Sequence, residues 1–285
     1  MESGRQDIVL KEISNGNEYL SGFSLEGLVT PTKASTIYTA QENSLFLSGQ
    51  LVPIVNVPAG SQSAQVPLLS SVTATTVSDD SANSDIAAAV ITDATTTIPV
   101  NLFAARSVVR DLGGIDPNEL GRVLGNAVAT AFDTAVMTDM AANLTASTTD
   151  SVPMTGNSIF DAVAQIRGAG EMGPLYGVLS AAEASNLMKN LFANGNVAGG
   201  DFQTEALRNG YVGTYGGVQM FQSALVPAAH SGFIFGADAA RLAMQKNVDI
   251  EVQRRAAAVG FDVVASIHGG AKVVDATRGI QLINV

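Results

Sequence analysis

The stretch from Gly113 to Leu144, GGIDPNELGRVLGNAVATAFDTAVMTDMAANL, decides the architecture. Asp116 is a good N-cap, since a short carboxylate can accept the unpaired N–H groups of a first helical turn. Pro117 fits the first helical position, where a missing N–H costs nothing, and Glu119 completes a capping-box pattern. From there Leu120, Val123, Leu124, Ala127, Val128, Ala131, Phe132, Ala135 and Val136 recur at spacings of three and four, with the stripe continuing towards Met140 and Leu144. The pattern predicts a helix over about 117–142, a rod of about 39 Å at 1.5 Å per residue. That is more than twice the usual helix length in globular domains, and it suits a flat, elongated subunit.

Upstream, the text is β-like. SLFLSG (44–49) and LVPIVNV (51–57) read as short strands. SQSAQVPLLSSVTATTV then carries the chain outward, the acidic stretch around TATTVSDDSANSD (73–85) turns it, and DATTTIPVNLF brings it back. Pro53, Pro58, Pro67 and Pro99 lie along this excursion, and proline is confined to the edges and ends of strands. The excursion is therefore an arm with little core of its own, and its strands are poor candidates for the centre of a sheet. Residues 1–48 are mixed and polar, and TPTKASTIYTA shows little periodicity, so an N-terminal arm lying on something else is expected.

Downstream, a Thr/Ser-rich linker leads to SIFDAVAQIRGAG, an amphipathic helix closed by glycine. YGVLS follows as a strand, and SAAEASNLMKNLFANG as a helix with Ser180 as its cap. After a glycine-rich passage come GFIFG, VDIEVQRR, FDVVASIHGGAKVVD and IQLINV, all strand-like. No internal repeat is evident.

Composition narrows the chemistry. The chain of 285 residues has room for one large domain or two modest ones. Its core must be built from small side chains, because tryptophan is absent and aromatics are 6 %. The longest apolar run, AAAVI, is far below the roughly 20 residues of a bilayer span, and the N-terminus has no hydrophobic signal segment, so a soluble, non-exported protein is expected. Absence of cysteine removes disulfides, thiolate nucleophiles and Cys-based zinc sites. A net charge of −11, with no Lys or Arg between Lys33 and Arg106, offers no basic groove for nucleic acid. Weak attraction to phosphate would, however, suit a container of DNA.

The sequence has no P-loop, dinucleotide fingerprint, GxSxG elbow or HExxH. His230 and His268 are read as a loop histidine and a strand-end histidine rather than acid–base groups. Asp79, Asp80 and Asp85 lack the spacing of a calcium loop and are read as a solvated turn. Glycines in GYVGTYGG (210–217) are assigned to positive-φ turns rather than a phosphate cradle. Asn143-Leu-Thr145 is a sequon by letter only. Arg254 and Arg255 are read as a solvated edge, with an inter-subunit ion pair as the alternative.

The order of these elements, and the phrases TTTIPVNLFAARSVVRDL running into DPNELGRVLGNAVATAFDTAVM, then YGVLSAAEASNLMKN, GTYGGVQMFQSALVP and GAKVVDATRGIQLINV, resembles the major capsid proteins of tailed double-stranded DNA bacteriophages. The resemblance implies an α+β chain of HK97-type fold. It would comprise an N-terminal arm (1–48), an extended β-hairpin or E-loop (49–100), a peripheral domain (101–151 and 237–269) with the long spine helix, and an axial domain (152–236 and 270–285). It implies a non-enzymatic shell protein that self-assembles into hexamers and pentamers of an icosahedral head. That head would enclose DNA without sequence-specific binding, be assembled in the host cytoplasm and form the virion capsid.

Portal, scaffolding and decoration or cement proteins are the partners implied. Members of the family often carry a long charged scaffolding segment ahead of the arm; here Met1 is followed within a few dozen residues by what reads as the arm, and for a full-length chain separate scaffolding is expected. The alternative on the same fold is an encapsulin-like compartment. No membrane association, cofactor, metal or catalytic residue is expected. Crosslinking through an E-loop lysine, known in some members, is not expected either, because no lysine occurs between Lys33 and Lys189.

Overall fold

The computed structural model describes residues 25–69, 74, 90–110, 116–146, 154–193 and 211–283. The acidic turn with Asp79, Asp80 and Asp85 lies outside these residues. Four α-helices occur among them: α1 (Leu25–Asn43), α2 (Pro117–Asn143), α3 (Gly156–Gly168) and α4 (Ala181–Ala193). The strands are β1 (Ile54–Asn56), β2 (Ser63–Leu69), β3 (Asp93–Pro99), β4 (Asn101–Arg110), β5 (Thr145–Ala146), β6 (Leu175–Ser180), β7 (Tyr211–Tyr215), β8 (Val218–Ser223), β9 (His230–Gly236), β10 (Ala240–Arg255), β11 (Gly260–Val273) and β12 (Gly279–Ile283).

Two sheets and a ribbon organise them. A four-stranded sheet has the order β1-β10-β11-β4, a six-stranded sheet the order β5-β12-β9-β6-β8-β7, and β2 pairs only with β3. In the first sheet β10 and β11 form a long antiparallel hairpin, and β11 runs antiparallel to β4 from Gly260↔Arg110 to Gly269↔Asn101. Strand β11 is continuous across residues 269 and 270, where the sequence had placed a domain boundary.

Helix α2 is the spine. It has 27 residues, and Asp116 caps it by accepting the N–H of Asn118 at 3.0 Å. Glu119 does not reach back to complete the box; its carboxylate takes Arg122 at 2.8 Å instead. The buried positions are Leu120, Gly121, Leu124, Gly125, Val128, Ala129, Phe132, Asp133, Val136, Met137 and Met140. The buried face is thus turned by one residue from the expected stripe: Val123 is 58 % exposed, while two glycines and an aspartate are inside. Leu120, Leu124, Val128, Phe132 and Val136 join one apolar core with Val109, Val263, Ala265 and Ile267 of the four-stranded sheet. Phe132 meets Phe103 of β4 edge to face at 5.7 Å.

The rotation of that face has a cause in α1. This helix exposes Tyr38 and buries Thr32, Thr36, Thr39 and Ala40, a stripe of hydroxyl-bearing and small residues that an apolar periodicity search passes over. It lies parallel against α2 so closely that a Cβ on Gly121 would sit 2.5 Å from the carbonyl oxygen of Thr32, and one on Gly125 2.5 Å from that of Thr36. Thr36 Oγ1 donates to the carbonyls of Thr32 (2.8 Å) and Gly121 (3.0 Å), and Ser35 Oγ to that of Asn118 (2.7 Å). Part of the presumed arm is therefore a helix seated on the chain's own spine.

After α1, SLFLSG forms a turn rather than a strand. Ser44 Oγ accepts the N–H groups of Phe46 (3.3 Å) and Leu47 (3.0 Å), a local alternative to a β ladder. In the six-stranded sheet, β9 is buried along nearly its whole length, as a strand covered on both faces must be. Ile234 shares an apolar core with Ile159, Ala162 and Ile166 of α3 and Ala184 and Leu187 of α4, whereas Phe233 and Phe235 join the core that holds the spine. Ser180 Oγ accepts the N–H of Glu183 at 3.3 Å, as expected of a cap. Gly216 and Gly217, both at positive φ, make the two-residue turn between β7 and β8.

Candidate functional site

Three features stand out among the described residues. Foremost is the β2–β3 ribbon, paired from Ser63↔Pro99 to Leu69↔Asp93. Only its root is packed: Ala64 and Ile98 form a small core with Val57 and Ala243. Farther out, Asp93, Ala94 and Thr95 are exposed, as are Val90 (84 %) and Ile91 (58 %). A two-stranded ribbon without a packed face is marginal in water by itself.

Its root, by contrast, is firmly tied. Val100 N–H donates to Gln62 O at 2.9 Å and Val57 N–H to Met244 O at 2.9 Å. Gln245 on β10 donates its amide to the carbonyls of Pro58 (3.2 Å) and Ser61 (2.8 Å). Gly270 on β11 passes directly beneath Pro99, and a Cβ there would overlap the Pro99 carbonyl oxygen. The ribbon thus departs from a fixed base.

A second feature is the junction between α1 and the spine. Asp133 is 2 % exposed; its carboxylate accepts Ser44 Oγ at 2.6 Å and the Leu45 N–H at 2.9 Å. Burial pushes its pKa up to about 6, against the opposing pull of these hydrogen bonds. Nothing in the apolar periodicity of α2 points to this residue; the usable signal was a carboxylate one step beside the stripe, next to Phe132.

A third feature is the free end of the β10–β11 hairpin. Arg255 and Arg110 are both paired in register with Gly260, so the two arginines share one face of the sheet. Arg106 grips the Asp262 carboxylate with two nitrogens, its Nε at 2.7 Å. Arg254 stacks its guanidinium 5.1 Å from the Phe261 ring centre. Each of these four arginines is exposed.

The histidines do not meet. His230 begins β9 instead of lying in a loop, half-buried, with Nε2 2.9 Å from Gln281 Oε1. His268 lies within β11, opposite Leu102, rather than at a strand end, and its Nδ1 is 3.4 Å from Gln245 Oε1. They belong to different sheets, so no shared acid–base constellation forms. Asn143 turns its amide onto Asp139, at 2.9 Å from both the carbonyl and a carboxylate oxygen. Lys33 pairs with Asp249 at 3.2 Å, and Lys189 is exposed on α4, away from the ribbon. Among the described residues no group of acidic or histidine side chains is arranged to hold a metal ion, and no helix is long and apolar enough to cross a membrane.

No family model and no curated protein matches this sequence. Solved structures do match. The capsid of cyanophage P-SCSP1u superposes with a TM-score of 0.62 at 17 % identity, over 85 % of this chain and 89 % of that one. A structure from Mycobacterium phage Che8 gives 0.57 at 19 %, over 78 % and 84 %. The virus-like particle of Pyrococcus furiosus gives 0.62 at 11 %, over 88 % and 97 %. The chain therefore has the HK97-type fold in which phage capsid subunits are built. Within that fold the β2–β3 ribbon occupies the place of the E-loop and α2 that of the spine helix.

Proposed function

We propose that this chain is a structural shell subunit, the major capsid protein of a tailed double-stranded DNA phage. Copies would assemble as hexamers and pentamers into an icosahedral head that encloses DNA. The observation that carries this reading is the ribbon: an arm anchored at Ile98 and Ala64 whose outer residues Asp93, Ala94 and Thr95 are exposed. Strand edges of this kind are completed by another chain, and many weak contacts closed around a shell give a stable whole.

In this reading α1 and the preceding residues are the N-terminal arm, and the E-loop spans 49–100. The four-stranded sheet with α2 is the peripheral domain, and the six-stranded sheet with α3 and α4 is the axial domain. The seam between the last two is best drawn after Val273, where β11 ends. The role is non-enzymatic, and the place is the virion, assembled in the host cytoplasm with scaffolding, portal and decoration proteins.

A compartment shell of the encapsulin kind is the second reading, favoured by the near-complete coverage of the Pyrococcus particle subunit. Negative-stain microscopy of purified native material tests the first statement: angular shells are expected, and a monodisperse small globule would refute both readings. Particle content separates the two, since DNA marks a phage head and a co-purifying enzyme marks a compartment.

A further inference from the structure

Strand β4 borders the four-stranded sheet, with β11 on one side and no strand on the other. Its ten residues, Asn101–Arg110, run in register with β11 without a bulge. Its other main packing partner among the described residues is α2. One row of backbone N–H and C=O groups is therefore left facing outward. Such edges are ordinarily blunted by lysine, proline, a bulge or a covering element. β4 reads NLFAARSVVR and has neither lysine nor proline. Of its two cations, Arg106 is engaged by Asp262 and Arg110 stands at the end. A regular strand of this length left bare would template open-ended pairing, so a working assembly has to cover it.

Alternation along β4 sorts its side chains. Phe103 and Val109 turn to the core that holds the spine, while Leu102, Ala104, Arg106, Val108 and Arg110 stand exposed on the opposite face. Leu102 and Val108 are 62 % and 38 % exposed. In a closed shell, two copies related by a two-fold axis present the same face inward, so both spines lie on one side of a sheet that joins them. Directly opposed residues of an antiparallel pair share a face. The exposed row of one copy can therefore oppose only residues of that same face on the other.

Charge and overlap decide among the registers that remain. An axis at Arg106 sets guanidinium against guanidinium, and an axis at Ala104 sets Leu102 against Arg106. An axis at Ser107 leaves Leu102 with no opposing residue in the strand. With the axis at Ala105, Leu102 meets Val108, Ala104 meets Arg106, and residues 101–109 are all paired. The second copy's Arg110 then falls opposite Val100, beside a cavity of about 240 Å³ lined by Gln62, Val100, Asn101, Leu102 and His268. The carboxamide oxygens of Gln62 and Asn101 are acceptors for its guanidinium.

We propose that β4 is a self-complementary edge: it pairs antiparallel with β4 of a second copy across a two-fold at Ala105, joining two four-stranded sheets into one. The contact is isologous, so it closes on a pair and covers both edges at once. It rests on the chain being a shell subunit and is separate from any surface that receives the ribbon.

With no native cysteine, the register can be read directly. Particles of a chain carrying Leu102→Cys and Val108→Cys are assembled under reducing conditions, oxidised and run on a non-reducing denaturing gel. Opposed Cβ atoms lie about 4.5–5.5 Å apart, a separation that small backbone adjustments bring within disulfide range. A covalent dimer is expected and nothing larger. Peptide mass spectrometry should link residue 102 to residue 108, and either single variant should stay monomeric. Ala104→Cys with Arg106→Cys, the next opposed pair, should behave alike and serves if the first chain fails to fold. Ala104→Arg added to the first pair should lower the dimer yield several-fold, and Ala104→Glu in its place should not. At about 1 M salt, where screening shortens to about 3 Å, these two yields should converge.

Intact particles without the dimer overturn the edge pairing and leave the shell reading standing. Absence of particles from the unmodified chain overturns the shell reading, and the same oxidation in solution then decides the pairing by itself: a 102–108 dimer supports it and a monomer overturns it. A ladder, a dimer from either single variant, or an adduct with a different protein gives the edge to another register or another occupant, and the proposal fails.

Discussion

Replacement of Asp133 by Asn is expected to remove a pH dependence that one buried carboxyl imposes on the whole subunit. The residue is 2 % exposed and its pKa is pushed up to about 6. Because this lies above the value in the unfolded chain, the folded protein holds more protons between about pH 4 and pH 6. The stabilising contribution is therefore fully present below the unfolded pKa and is lost as pH rises through about 6. A rise of that size corresponds to about 3 kcal/mol of stability surrendered between about pH 4 and pH 7.

Asp249, Asp262 and Asp275 are shifted the other way, Asp249 and Asp262 chiefly by hydrogen bonds from Lys246 and Arg106. For Asp275 burial works against the shift, which comes from hydrogen bonds from Thr277 and the neighbouring Arg278. Their stabilisation is lost only as pH falls below the ordinary carboxylate range, so it does not mask the window. Urea unfolding of the subunit across this range should show stability falling with pH in the wild type. Asp133→Asn should lack this fall, with a uniform offset of about 1 kcal/mol for one impaired hydrogen bond. An unchanged slope in the variant would refute the assignment. Ser44→Ala, which leaves the carboxyl and removes one donor, should steepen the slope and so separates titration from mere loss of packing.

Four further outcomes are expected. Gly125→Ala forces a methyl against the Thr36 carbonyl and should cost about 2 kcal/mol, seen as faster proteolysis within α1; Gly168→Ala, with open space around it, should be nearly neutral. Ile98→Ala empties the ribbon root and should cost about 2–4 kcal/mol locally, read as loss of hydrogen-exchange protection across β2 and β3. Asp116→Ala removes the spine cap and should lower stability by about 1 kcal/mol, measured by thermal unfolding. Mass spectrometry of denatured particles should show single chains without a covalent ladder, since the ribbon segment carries no lysine.

The spine was legible because its signals are local: Asp116, Pro117 and an apolar stripe lie within one stretch of chain. Its rotation was not legible, because Val123, Ala127 and Ala131 compete with Gly121, Gly125 and Ala129 on apolar character alone. Only the approach of α1 settles which row is buried. Helix α1 itself was missed for the same reason, its inner face being threonine and alanine bonded to backbone carbonyls. The ribbon was legible from its prolines and its lack of an apolar face. The order of strands in the two sheets, which joins residues as distant as Leu102 and His268, leaves no local trace. Arg254 and Arg255 could be read as an edge, but their company with Arg110 depends on register across β11.

The seam between α1 and α2 repeats every four residues: Thr32 and Thr36 on one side, Gly121 and Gly125 on the other. Grooves with such a repeat look nearly the same after a slide of one helical turn, about 5.4 Å. Threonine and glycine therefore let α1 lie flat on the spine without fixing how far along it sits. The clasp of Ser44 and Leu45 by Asp133, which lies outside that repeat, works as a stop at the end of a track.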